Sequence, residues 1–257
     1  YPEKPNWRPD LVVAYRYAPP FRFRETFYRA TLTDADFKVR AKVNTTSYTR
    51  FILPPNEEKF IPPEKGGNHK LVFFPVRRSA YHSFFMIIPP AEYFKDHPEW
   101  FSLVKGERVG SRDNSNWSKC KGQLCLTNEE MLRAYVEETK RLLRESPDCD
   151  SIQVSMNDWN RDWCECDRCK AVYAREGAVS GLYIDFANRV AEAVEKEFPH
   201  VIIDTFAYQF TRKAPKTVRP RKNVLVRLCD IECAFNRPLA DATYERNRTF
   251  LADIQAW

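Results

Sequence analysis

Near the middle of the 257-residue chain, Ser151-Ile152-Gln153-Val154-Ser155-Met156-Asn157-Asp158-Trp159 passes from an apolar, strand-like run into an amide, a carboxylate and an indole. A carboxylic acid at a strand end can protonate a glycosidic oxygen when its surroundings favour the protonated form. The plain alternative is that Asp158 caps the following loop. A second stretch, Arg227-Leu228-Cys229-Asp230-Ile231-Glu232-Cys233, again sets acids just beyond an apolar run. Asp230 and Glu232 alternate, so they share a face if the strand continues that far. Either could act as base or nucleophile opposite Asp158, or be held in an ion pair by Arg227 or neighbouring basic residues.

Other side chains could bind substrate around these acids. Tyr208 ends the run Val201-Ile202-Ile203-Asp204-Thr205-Phe206-Ala207-Tyr208 and could hydrogen-bond a substrate or steady charge. Asn157 and Arg227 are polar candidates at strand ends, while Trp159 and Trp163 could stack on a sugar face or simply pack. His82 precedes the segment Phe84–Ile88 and, if that segment is a strand, stands at the wrong end of it for chemistry.

Three of the eight cysteines form Cys164-Glu165-Cys166-Asp167-Arg168-Cys169. That spacing lets three thiolates meet one metal, and zinc prefers four ligands, the fourth coming from Cys149, Cys229, Cys233 or a histidine. The same residues could instead form disulfides that pin the loop. Either device would stiffen a wall directly after Asn157-Asp158.

The elements that must position these groups read as strands separated by helical or polar stretches. Six strands are expected: Phe21–Phe27, Phe84–Ile88, Gln123–Leu126, Ser151–Met156, Val201–Tyr208 and Asn223–Cys229. A capping box at Thr127-Asn128-Glu129-Glu130 starts the clearest helix, whose Leu132, Tyr135, Val136, Leu142 and Leu143 share a face. A second helix runs from Ser180 to Phe198, where Pro199 stops it, and a third starts near Ala242 and contains Tyr244, Asn247, Leu251 and Ile254. Pro215 and Pro220 leave no room for a long helix between the last two strands. Arg29–Tyr81 and Pro89–Gly122 are long for connections and read as insertions with short helices such as Ala35–Val43.

This order predicts an α/β fold, an incomplete (β/α)8 TIM-type barrel with about six of eight units. Residues 1–20 read as a linker, and 21–257 as the barrel, cut short at its C-terminus. Aromatic residues at 14% and charged residues at 30% argue for a packed chain rather than a disordered one. No apolar run is long enough for a membrane span. No phosphate-cradling loop, nucleophile elbow or zinc-protease motif is present, and the nucleic-acid-binding signatures are absent too. The charge of +6 is partly gathered in Arg212–Lys222, either a solvated loop or a basic rim for an acidic ligand.

The chain resembles the bacterial family called domain of unknown function 4838, grouped with barrel-type glycoside hydrolases. The resemblance rests on His97-Pro98-Glu99-Trp100-Phe101-Ser102-Leu103, Gln123-Leu124-Cys125-Leu126-Thr127-Asn128, Val154 to Trp159, Cys164 to Cys169, Asp204 to Gln209 and Val226 to Cys233. It implies an exported protein, periplasmic or extracellular, from a glycan-degrading bacterium, with further domains in the full-length protein. More distantly the arrangement is similar to β-hexosaminidases and α-glucuronidases, whose acid follows the fourth strand. Where hexosaminidases carry an Asp-Glu pair, this chain has Asn157-Asp158.

These residues together suggest a glycoside hydrolase, acting on a glycan of acidic or N-acetylated sugars, with Asp158 as general acid and Asp230 or Glu232 as its partner. Hydrolysis by two carboxylates needs no cofactor, so zinc would be structural. The rivals are a carbohydrate-binding barrel without turnover and a zinc-dependent module that binds polyanions.

Overall fold

The computed structural model describes residue 41 and residues 82–257, apart from 114, 115, 117, 118, 148–150 and 242. The expected linker and strand Phe21–Phe27 lie outside these residues, as does Ala35–Val43 except for residue 41. The chain divides into two units, Tyr1–Leu71 and Val72–Trp257, and all the described residues but residue 41 belong to the second.

Three of the expected strands form: β3 (Ser151–Gln153), β4 (Ile202–Ala207) and β5 (Val224–Leu228). They pair in parallel in the order β3-β4-β5, with Gln153 opposite Asp204 and Phe206 opposite Arg227. Earlier in the chain, β1 (Ser102–Val104) and β2 (Glu107–Val109) form an antiparallel hairpin. Lys105 and Gly106 turn it with φ of +51° and +88°, the left-handed pair that suits a two-residue loop. The result is a mixed α/β fold in which, among the described residues, no barrel closes.

Two expected strands are not strands. Phe84–Ile87 is a short helix, α1, and a second, α2 (Pro90–Tyr93), follows it. Phe84, Phe85, Ile87 and Ile88 are all buried, and a short apolar run buried on every side has no periodicity to separate strand from helix. Gln123–Leu126 is likewise extended chain with one bridge, Leu124 to Phe101. Its burial satisfies apolar side chains without a ladder.

The helices pack as their apolar faces require. Helix α3 (Glu129–Arg144) starts one residue later than expected, because the Asn128 carboxamide oxygen accepts from the amides of Glu130 and Met131, both at 3.0 Å. Met131, Leu132, Tyr135, Val136, Leu142 and Leu143 face inward. Helix α4 (Asp167–Glu176), which the sequence pattern did not suggest, ends at Gly177 with φ of +66°, and α5 (Ser180–Glu195) follows at once. Helix α5 packs on β4 and on both α3 and α4. Residues 209–223 contain only a 3-10 turn at Gln209–Thr211, as the prolines demand. The last helix, α6 (Glu245–Ala256), buries Asn247 and Phe250, while Ile254 is exposed.

Alternation gives the sheet two unlike faces. Ile152, Ile203, Thr205 and Val224 lie on one; Gln153, Asp204, Phe206 and Arg227 lie on the other. Asp204 is buried, and burial pushes its carboxyl up to about 6 even though Arg227 works against the shift. One edge of the Arg227 guanidinium meets it bidentately, Nε donating to Oδ1 at 3.0 Å and Nη2 to Oδ2. Breaking a buried pair from one side costs about 3–5 kcal/mol, whereas replacing both partners with apolar residues is often neutral. Arg227→Met should therefore lower the denaturation midpoint strongly, and Asp204→Leu with Arg227→Met should recover most of the loss. Equal stability of the two variants by chemical denaturation would show that the pair is not what the sheet depends on.

Candidate functional site

Because β3, β4 and β5 run the same way, the segments that continue from them emerge at one end of the sheet. Ser151 to Asn157 are all buried, Asp158 is exposed, and Trp159 is buried again. The residues on either side of Asp158 are held by one short stretch. Asn157 exchanges hydrogen bonds with the Gln123 side chain through its backbone, N–H to Oε1 at 2.9 Å and Nε2 to the carbonyl at 3.3 Å. Its carboxamide accepts from Phe85 N–H at 3.1 Å and donates to the Gly122 carbonyl at 3.2 Å. Trp159 Nε1 donates to the same carbonyl at 3.1 Å, and its ring meets Phe85 edge-on. Gly122 has φ of +87°, and a Cβ there would lie 2.0 Å from the Val109 carbonyl oxygen, so only glycine fits. Asn157 and Trp159, expected to touch sugar, thus spend their polar atoms and faces inside the protein and aim Asp158 outward.

Two side chains meet the Asp158 carboxylate. Tyr208, just past β4, donates its hydroxyl to Oδ1 at 3.2 Å. His82 Nε2 lies 3.4 Å from the same oxygen, and its Nδ1 donates to the Met156 carbonyl at 2.8 Å. His82 precedes a helix rather than the expected strand, and this is how it comes to the site. Its φ of +52° is an unfavourable backbone state for a residue with a Cβ, tolerated where the surroundings impose it. The imidazole rests against Phe206 and Tyr208, and burial lowers its pKa while the Asp158 charge raises it. Burial and then the Asp158 charge push the Tyr208 hydroxyl well above its ordinary range; charges at Cys229 and Glu232 add to this.

Past β5, Glu232 accepts from Arg212 Nη1 at 3.2 Å, and Asp230 is exposed. Arg227 pairs with Asp204, two strand positions back on the neighbouring strand's face. Trp163 packs against Phe210, with ring centroids 5.2 Å apart. Part of the basic segment is tied down, while Lys216 and Arg219 stay exposed. Arg212 also pairs with Asp253, Arg221 and Lys222 with Glu195, and Lys213 donates to the Gly177 carbonyl. Buried Glu176 accepts from the amides of Thr217 and Val218, which holds its carboxyl down at about 2, Arg175 contributing most.

The cysteine motif gathers as its spacing suggests, but its fourth member is Cys125. The sulfurs of Cys125, Cys164, Cys166 and Cys169 lie within 4.8 Å of one another, close enough to hold one metal ion. Cys125 is 3.8 Å from Cys166 and 4.0 Å from Cys169, roughly twice the length of a disulfide bond. Every described cysteine is a free thiol. Leu103 N–H (3.4 Å) and the Arg108 guanidinium (3.9 Å) point at Cys164, and the Thr127 hydroxyl lies 3.3 Å from Cys169. Without a metal, hydrogen bonds from Cys164 and Cys169 hold the Cys125 thiol far below its usual pKa, and the bond to Cys125 pushes Cys164 up to about 12.

The family described as Domain of unknown function (DUF4838) matches residues 1–257. The chain belongs to the DUF4838 family. No curated protein and no solved structure matches it.

In this DUF4838 chain the sequence pattern points to Asp158, Tyr208 and three of the four clustered cysteines. It sets His82 at the wrong end of a strand, whereas the structure brings it to Asp158, and it leaves out Cys125. The signal that could have found it was Cys125 itself, inside a run already singled out, directly before a helix start. Four thiolates around one metal predict that the purified protein carries about one equivalent of a thiolate-binding metal. Cys125→Ser should lose most of it and melt at lower temperature, while Cys120→Ser should retain it; metal content unchanged in Cys125→Ser would break the assignment.

Proposed function

We propose that this DUF4838 protein is a glycoside hydrolase in which Asp158 is the general acid and Glu232 or Asp230 the opposing carboxylate. The observation that carries this reading is the meeting of Asp158, Tyr208 and His82 at the end where the parallel strands stop. Strand C-termini are where β/α folds gather their chemistry. Glu232 comes from the segment past β5, which ends on the same side of the sheet as β3.

In this scheme Asp158 hands a proton to the departing glycosidic oxygen. The second carboxylate, with Arg212 fixing its direction when it is Glu232, activates water or attacks the sugar. Tyr208 holds the acid in place. The consecutive order β3-β4-β5 with helices between β3 and β4 supports reading the sheet as an arc of an incomplete (β/α)8 barrel. The substrate would be a glycan met outside the cytoplasm.

The cysteine cluster would hold zinc in a structural role. At a zinc–sulfur distance of about 2.3 Å, tetrahedral ligands stand about 3.8 Å apart, close to the separations of Cys125 from Cys166 and Cys169. A set of four thiolates leaves no open position for water or substrate, so the metal would tie the start of α3 to the start of α4. Arg212, Arg221 and Lys222 are engaged by Glu195, Glu232 and Asp253, which weakens the polyanion-binding alternative.

Asp158→Asn should cut turnover on a natural glycan by roughly two to four orders of magnitude while leaving binding nearly intact. Aryl glycosides with good leaving groups should be affected less. Full turnover in this variant would remove Asp158 from the chemistry and favour a carbohydrate-binding role.

A further inference from the structure

His82 and Asp158 do more than touch, because the geometry fixes which imidazole nitrogen carries hydrogen. The Met156 carbonyl can only accept, so Nδ1, 2.8 Å away, must be the protonated nitrogen of a neutral ring. Neutral imidazole then presents a bare lone pair at Nε2, 3.4 Å from Asp158 Oδ1. A lone pair facing a carboxylate oxygen is repulsive unless a proton lies between them. Tyr208 cannot remove the conflict, since its hydroxyl already approaches the same oxygen as a donor.

We propose that His82 is a positioning residue whose Nε2 shares a single proton with Asp158 and so fixes the direction of that carboxyl. This rests on the glycosidase reading for its purpose but not for its geometry. The other group acting on the imidazole is Arg112, whose charge opposes a second proton on the pair. The burial of the ring works in the same direction. The left-handed backbone at His82 supports the same reading, since its strain is tolerated only where the surroundings dictate the conformation. The chain has four histidines, so one signal can be followed cleanly.

The test is ¹⁵N NMR of the full chain with labelled histidine, the His82 signal being assigned by its loss in His82→Gln. The neutral form should be the Nδ1–H tautomer, read directly in the unmodified protein. On Asp158→Asn the His82 titration midpoint should fall by about one unit or more, because an adjacent carboxylate favours the charged ring. An Nε2–H tautomer, or one midpoint in both proteins, would overturn the inference. Failure here is distinguishable from failure of the enzymatic reading: full turnover by Asp158→Asn sinks the latter and leaves the tautomer untouched.

Discussion

Everything at the candidate site depends on parallel pairing. In an antiparallel sheet, successive strand ends point to opposite sides, and Tyr208 would lie at the other end of the sheet from Asp158. Here Ile152 pairs with Ile203 and Ile203 with Val224, and the chain must return each time to the same edge. The return from β3 to β4 uses α4 and α5; the shorter one from β4 to β5 is an irregular run anchored by Glu176. The same direction that gives the sheet its register therefore brings Tyr208, past β4, to Asp158, past β3.

Polar groups on the inner face set the second constraint. Asp204 and Arg227 satisfy each other inside the sheet, which leaves Phe206 to support the imidazole of His82 and Tyr208 to reach the acid. The Gly122 carbonyl, taking hydrogen bonds from both Asn157 and Trp159, fixes the chain on both sides of Asp158. Six residues past Asp158 the cysteine cluster begins, and it ties that loop to the residues before α3 and to the β1–β2 hairpin through Leu103. A metal there would restrain the acid's loop at its far end without taking part in the chemistry.

Part of this was legible in the sequence. Strand-like runs marked β3, β4 and β5, and strong amphipathic spacing marked α3 and α5. The short aromatic run at Phe84 misled because burial on all sides erases periodicity, and with it went the placement of His82. Thr127 and Asn128 can both cap a helix; only the backbone decides which oxygen reaches the first-turn amides, and Thr127 turns to the cysteines instead. Cys125 was missed as the fourth thiol because it lies 41 and 44 residues from Cys166 and Cys169, a separation that no local spacing rule covers. Asn157 and Trp159 looked like ligand contacts because strand ends often carry them, but the partners that claim them, Gln123, Gly122 and Phe85, are distant in sequence.

Cleavage of a glycan between the acids emerging after β3 and β5 is tested most directly by the structure of the full-length protein with a slowly hydrolysed oligosaccharide bound. A glycosidic oxygen should lie within hydrogen-bond reach of Asp158, with Glu232 or Asp230 on the other side of the sugar ring at a carboxyl separation of roughly 5 to 9.5 Å. An oligosaccharide bound away from Asp158 and Tyr208, or acids too far apart to act on one bond, would contradict it.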